Sequence, residues 1–171
     1  MSEIYTKRLK LIALTLPQLR LYLYAPRQLE EDLGFRIARD KTREVRRAIE
    51  IKIVNMSQAG ELNHPWYTYW LIVIAGKPYG AGLVGFKGYP NNQGEAEIGY
   101  GLDVDFQNRG YTTEAVIALI AWAFAHDYCQ AVVADTHPAN IASQRVLEKA
   151  GMHLSHKTNE ALFWRIDRAL S

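Results

Sequence analysis

The sequence holds a single cysteine, Cys129, among 171 residues. No intramolecular disulfide can form, and no Cys-x-x-Cys spacing exists to hold a metal or run a redox cycle. A lone thiol suits a reducing compartment, so the expected location is cytoplasmic. Charge of one sign is not in excess either: 20 Lys and Arg stand against 18 Asp and Glu. A nucleic-acid partner calls for a basic surplus or a basic run, and none is expected here. The one basic stretch, residues 36–47, is broken by Asp40 and Glu44 and reads as a solvated helix face. Long apolar runs are missing. The longest, residues 116–125, falls short of a bilayer and continues a helical pattern. The first eight residues lack the apolar stretch of a signal peptide, so no membrane association is expected. Internal repeats, linkers and low-complexity segments are absent, which leaves one domain over residues 1–171.

What is present is apolar content: 49% of the chain, enough for a core without disulfides or a metal. Residues 9–14 read as a first strand. Thr15 and Gln18 then form a capping-box pattern, with Pro17 in the first turn of a helix that Ala25-Pro26 stops near Tyr24. A second helix, 27–33, ends at Gly34. A third carries Val45, Ala48, Ile49, Ile53 and Met56 on one face and closes at Gly60. Residues 64–67 read as a loop. Strands over 68–75, 79–88 and 95–104 follow, joined by Gly- and Pro-rich turns. A helix over 112–127, a short strand at 131–135, a helix over 141–149 closed by Gly151, and a final hairpin of 152–155 with 161–167 complete the chain. The expected fold class is α+β (mixed α/β) with a mixed sheet.

The stretch at 107–114, Gln-Asn-Arg-Gly-Tyr-Thr-Thr-Glu, sits where a strand hands over to a helix. The first N–H groups of a helix have no intrahelical partner, and the macrodipole favours negative charge there. Gly110 lets the backbone approach a ligand closely. Two readings stand side by side: an anion site, or a turn that only starts a helix. The loop lacks the Lys-Ser/Thr of a P-loop and the full Gly-x-Gly-x-x-Gly of a dinucleotide site.

Three separated segments resemble the GNAT superfamily of acyl-CoA-dependent N-acyltransferases. Gln107-x-x-Gly110-x-Thr112 is similar to the family's Gln/Arg-x-x-Gly-x-Gly/Ala loop. Asn140-x-x-Ser143-x-x-x-x-Glu148-Lys149-x-Gly151-Met152 resembles its late Asn-x-x-Ser-x-x-x-x-Glu-Lys-x-Gly-Phe helix. Arg8-Leu9-x-Leu11 with Leu14-Thr15, and Ile98-Gly99-Tyr100-x-Leu102, resemble the RimJ/RimL-type branch, whose members often acetylate protein N-termini. Three positions depart from the pattern. Thr112 replaces Gly/Ala, Gly101 stands where the branch often has Trp, and Leu147 occupies the place of the Tyr general acid of many members. That Tyr role does not carry over.

The resemblance implies a central, mostly antiparallel mixed sheet of about six to seven strands flanked by helices. It implies acetyl-CoA or CoA as co-substrate, with no metal. The pyrophosphate is expected on the loop of Gln107, Asn108, Arg109, Gly110, Tyr111, Thr112 and Thr113, and the pantetheine beside the backbone of Leu102 and Val104 and against Asn140. A strand N–H near Leu102 is the expected oxyanion donor. Transfer is expected by direct attack of an amine, on a protein N-terminus or a small molecule, and a homodimer is among the expected assemblies. Ser143 aligns with a serine proposed to protonate the leaving thiolate. Strand alternation places Glu97, Gly99 and Gly101 on one face, making Glu97 the candidate base with Glu95 in reserve. Each has a plainer alternative: Arg109, Glu95 and Glu97 as exposed charges, Ser143 bonding its own helix, Asn140 as helix cap only. Trp66, Tyr67, Tyr69 and Trp70 either line an acceptor pocket or pack the core. Set against an enzyme is a non-catalytic CoA-binding module on the same fold, which Leu147 keeps open.

Overall fold

The computed structural model describes residues 2–39 and 41–169; Asp40, which breaks the basic stretch, lies outside the described residues. Nine strands form one sheet: β1 (Glu3–Tyr5), β2 (Leu9–Ala13), β3 (Arg36–Ile37), β4 (Trp70–Ile74), β5 (Tyr79–Phe86), β6 (Glu95–Leu102), β7 (Ala131–Thr136), β8 (His153–Lys157) and β9 (Leu162–Asp167). Their order is β1-β2-β4-β5-β6-β7-β9-β8, with β3 added to β5. All pairs are antiparallel except β3–β5 and β6–β7. The two strands beyond the expected six to seven are the short β1 and β3, too brief to leave a periodic signal.

The helices are α1 (Leu16–Tyr24), α2 (Pro26–Leu33), α3 (Arg43–Gln58), α4 (His64–Tyr67), α5 (Tyr111–Phe124) and α6 (Ile141–Lys149). The capping box at Thr15 forms as expected: Thr15 accepts from the Gln18 N–H, and Gln18 reaches back to the Thr15 N–H at 3.0 Å. Gly34 closes α2 at φ 77°. The basic stretch is not one helix face. Its start is β3, and only Arg43 onward is helical, where residues 43–47 are exposed. Residues 64–67 are a short helix rather than a loop.

Two apolar cores lie on opposite faces of the sheet. On one face α1, α2 and α3 cover β2, β4 and β5 through Leu19, Leu23, Leu29, Ile49 and Met56. On the other, α5 packs Ala115, Val116, Leu119 and Ala123 over the centre of the sheet. Complete burial of such a side chain contributes roughly 1.5–3 kcal/mol. Trp66 and Trp70 belong to this second core, with ring centroids 4.7 and 5.2 Å from Trp122. They pack the interior and line no acceptor pocket. Tyr69 flanks the first core, and Tyr67 packs against both.

The helical pattern of α3 needs one correction. Val45 is exposed, and its apolar face is completed by Lys52, which is buried. Its ammonium donates to the carbonyls of Phe86 and Tyr67 and sits 4.5 Å from the Tyr69 ring centroid. One charged side chain thus ties α3 to the end of β5 and to the segment entering β4.

Candidate active site

Pairing between β6 and β7 stops at Glu97–Val133, whereas β6 stays paired with β5 to Leu102. The Lys87 N–H donates to the Glu97 carbonyl, and the Asp103 N–H to the Ala81 carbonyl. Backbone groups alternate sides along a strand. Glu97, Gly99, Gly101 and Asp103 therefore direct theirs toward β5, and Tyr100 and Leu102 direct theirs toward the side that β7 has left. A strand edge is open there for an amide-bearing ligand. The edge borders a cavity of about 520 Å³ lined by Tyr100, Gly101 and Leu102, by residues 106–108 and 110–113, and by the α6 residues from Asn140 to Lys149 that face it.

The strand ends at Leu102, not at 104. The Asp103 carboxylate accepts from the Asp105 N–H at 3.1 Å and turns Val104–Phe106 into one 3-10 turn. Val104 therefore sits in the turn rather than on the strand expected to pair with a ligand, 75% exposed and outside the cavity lining. Leu102 keeps its place. Its carbonyl accepts from Gln107 Nε2 at 2.9 Å, which folds the loop back onto the strand end.

Gly110 begins α5 at φ 78°, and Asn108 is the one non-glycine residue with positive φ among the described residues. No side chain caps α5. The N–H groups of Tyr111, Thr112 and Thr113 thus have no intrahelical partner, at the mouth of a cavity their own residues line. Partial positive charge gathers where the chain also has room for an anion. Gln107, Asn108, Gly110, Tyr111, Thr112 and Thr113 stand together in the cavity lining. Arg109 is absent from the cavity lining: it is exposed, with its guanidinium carbon 6.0 Å from the Phe106 ring centroid.

The loop is held from a distance. Glu114, in the first turn of α5, accepts from the Thr6 hydroxyl (2.7 Å), the Arg8 N–H (2.9 Å) and Arg8 Nε (2.7 Å). Arg8 Nη1 also donates to the Arg109 carbonyl at 2.9 Å, and its guanidinium stacks over Tyr111 at 4.7 Å. Burial opposes ionisation of Glu114, but the hydrogen bonds from Thr6 and Arg8 outweigh it and hold its carboxyl below the usual range.

Across the cavity, Asn140 Oδ1 accepts from the Ser143 N–H at 3.1 Å and caps α6. Asn140 and Ser143 both line the cavity. The Ser143 hydroxyl lies 2.8 Å from the Tyr100 hydroxyl, which also donates to the Ser143 carbonyl at 3.2 Å. Burial raises the Tyr100 phenol, and the bond to Ser143 partly offsets it. Leu147 is fully buried beneath α6.

Glu97 lies outside the cavity lining, on the opposite face of β6 from Tyr100. It is half-buried, paired to Lys87 and hydrogen-bonded to Asp135 of β7. Burial first, then the Asp135 carboxyl, raises its pKa, while Lys87 opposes; Asp135 is lowered by its bond to Glu97 and by Lys87. Gly99 and Gly101, on the same face as Glu97, have nothing within 4 Å of where a Cβ would stand. Glu95 is bound to Arg165.

Three cations, Arg8, Arg145 and Lys149, stand around the loop and cavity without a site role assigned from the sequence. Arg145 and Lys149 line the cavity. Their i, i+4 spacing after Ile141 was the available signal. Arg8 left no local signal, because its partners lie about a hundred residues away.

Known proteins agree with this architecture. The profile of the Acetyltransferase (GNAT) domain family matches residues 16–153. The uncharacterized N-acetyltransferase YjdG of Bacillus subtilis (strain 168) is 35% identical over 95 residues, 56% of each chain. The probable N-acetyltransferase YjcK of the same organism is 43% identical over 58 residues, 34% of this chain and 32% of its own length. The chain thus spans about half or less of these relatives. Among solved structures, a GNAT-family acetyltransferase from Bacillus anthracis superposes with a TM-score of 0.65 at 20% identity, covering 98% of this chain and 99% of that one. The ribosomal L7/L12 α-N-protein acetyltransferase RimL gives 0.67 at 16% identity, covering 99% and 100%. With a family profile spanning most of its length, this chain belongs to the GNAT acetyltransferase family.

Proposed function

We propose that this protein transfers an acetyl group from acetyl-CoA to a primary amine by direct attack on the thioester. The observation that carries this reading is a convergence. The uncapped start of α5 and the unpaired edge of β6 open into one cavity, with a hydroxyl pair between them. An anion such as the CoA pyrophosphate fits the N–H groups of residues 111–113, with Lys149 and Arg145 as added cations. The amide-rich pantetheine then runs along Tyr100–Leu102 as an added strand, and a β6 N–H turned to that side serves the developing oxyanion.

Direct attack needs no protein nucleophile. It needs a neutral amine, an oriented carbonyl and a proton for the departing thiolate. Glu97, with its carboxyl raised toward neutrality by burial and Asp135, is the base of this reading, reached through water or the open face above Gly99 and Gly101. Ser143 is the acid. For the acceptor we favour a protein N-terminal α-amine over a small amine, because the similar structures include RimL, named as an α-N-protein acetyltransferase, and a putative ribosomal-protein-serine acetyltransferase from Vibrio cholerae.

A non-catalytic CoA-binding module is the second reading, and Leu147 favours it. Release of free CoA from acetyl-CoA, measured against peptides with free N-termini and against a panel of small amines, tests both. Peptide-dependent release supports the favoured acceptor. Release with small amines alone overturns the protein acceptor, and no release with any amine while CoA still binds supports the module.

A further inference from the structure

We propose that Tyr100 is the positioning residue of the transfer: it holds the Ser143 hydroxyl toward the departing sulfur and backs it with a proton. The inference rests on the acetyl-transfer reading and adds to it a residue that neither the loop nor the late helix announces.

Ser143 is clamped on three sides. Its N–H donates to Asn140 Oδ1 at 3.1 Å. Its carbonyl accepts from the Tyr100 hydroxyl at 3.2 Å, and its Oγ lies 2.8 Å from that same hydroxyl. A serine near a helix start is ordinarily free to rotate or to bond its own backbone. Here a phenol from a different element, β6, fixes it. Strand alternation sets Tyr100 on the face of Ile98 and Leu102, toward α5 and α6, and burial holds its ring in place.

The chemistry follows from counting protons. A serine hydroxyl has one hydrogen. If it is spent on Tyr100, whose own hydrogen then goes to the Ser143 carbonyl, none points into the cavity; if the Tyr100 hydrogen turns from that carbonyl to Oγ, the serine hydrogen is released toward a ligand. A thiolate forming in the cavity favours the second arrangement, since a hydrogen bond to an ionised acceptor is about twice as strong as a neutral one. As the amine nitrogen bonds the acetyl carbon, the C–S bond breaks and its electron pair stays on sulfur. The departing sulfur accepts the Ser143 hydrogen bond, and Ser143 Oγ accepts that of Tyr100. The proton shed by the new amide nitrogen reaches the sulfur through this pair or solvent, so no net proton is gained or lost.

Other hydroxyls in the cavity are less suited. Tyr111 lies under the Arg8 guanidinium at the start of α5. Thr112 and Thr113 share that anion-binding end. Leu147 offers no hydroxyl at all.

The test is titration of the bound CoA thiol, read as thiolate absorbance, in wild type, Tyr100→Phe, Ser143→Ala and the double variant. It needs no acceptor. A free thiol titrates near about 8.5. In the wild-type complex the value is expected to fall by roughly one unit, a tenfold shift toward thiolate. Tyr100→Phe and Ser143→Ala should each restore it, the double variant should equal either single one, and Ser143→Thr should keep the wild-type value. Melting-temperature shifts by CoA in each variant show that the fold and the binding site persist. A wild-type titration in Tyr100→Phe, or effects that add in the double variant, overturns the proposal. If CoA binds and Tyr100→Phe behaves as wild type, only this assignment falls; if CoA fails to bind wild type, the reading of the cavity falls with it.

Discussion

Arg8 and Glu114, 106 positions apart, form a two-point bond: the Arg8 N–H and Nε each donate to a different oxygen of one carboxylate, at 2.9 and 2.7 Å. This joins the turn before β2 to the first turn of α5, and Arg8 reaches on to the Arg109 carbonyl. The loop that begins the cavity is thereby fixed by a residue that does not line the cavity. Arg8→Ala is expected to weaken CoA binding about tenfold, roughly 1.4 kcal/mol, by loosening residues 107–110. Calorimetric titration with CoA checks this, and an unchanged Kd would make the bond a bystander.

Glu114 also predicts an acid limit. Its folded-state pKa lies below the ordinary carboxylate value. The stabilisation is therefore complete above the unfolded pKa and is lost as pH falls through the folded one. Urea unfolding of wild type and Glu114→Gln should differ by about 1–3 kcal/mol at pH 7, and the two curves should converge as pH falls through the lowered folded-state pKa.

Lys52 is a second group with a lowered pKa, and its window lies at higher pH. Burial, aided by the charge of Lys87, pushes its ammonium down to about 7. Between that value and the unfolded value, the unfolded chain binds a proton that the folded one has released. Stability therefore rises with pH across this range. The stability difference between wild type and Lys52→Met should grow from pH 7 to 9, approaching about 1.4 kcal/mol per unit at the upper end. A difference that stays flat would mean that Lys52 keeps its proton when folded.

Gly82 is a backbone contact with a consequence for the site. A Cβ there would stand 2.2 Å from the Gly101 carbonyl oxygen and 2.8 Å from Leu102 Cα. Gly82→Ala must push β6 away from β5 beside the cavity. A loss of roughly 1–3 kcal/mol is expected, with CoA affinity falling as well. Retained affinity in a folded Gly82→Ala would show that the exact path of residues 101–102 does not matter to the ligand.

The legible parts of this chain were those written locally. The Thr15–Gln18 capping box, the Gly34 stop, the alternation of β6 and the Asn140 cap each depend on residues within a turn of one another. What escaped depends on distance or on competition. Val104 looked like strand because its own side chain is β-branched, but Asp103 diverted the chain. Lys52 sat on the apolar face of α3 in full view, yet only β5 and the 67–69 segment supply the carbonyls and ring that make its burial tolerable. The Tyr100–Ser143 pair spans two elements whose approach depends on β6 and β7 separating after Glu97.

Glu97 and Asp135 make a kinetic prediction once an acceptor is in hand. Glu97→Gln should lower kcat about 10²-fold with KM for acetyl-CoA unchanged, because Glu97 lies outside the cavity lining. Asp135→Asn removes a partner that raises the Glu97 carboxyl. The acid limb of the pH–rate profile should then move to lower pH; a limb that stays in place would argue against Glu97 as the base.

The start of α5 is the proposed seat of the donor's pyrophosphate. The most direct test is the melting temperature of wild type and Gly110→Glu with CoA and with pantetheine, which lacks the pyrophosphate. CoA should raise the wild-type value by several degrees at saturation, pantetheine far less, and Gly110→Glu should abolish the CoA effect. An equal shift by both ligands, or a full CoA shift in a folded Gly110→Glu, would contradict the assignment.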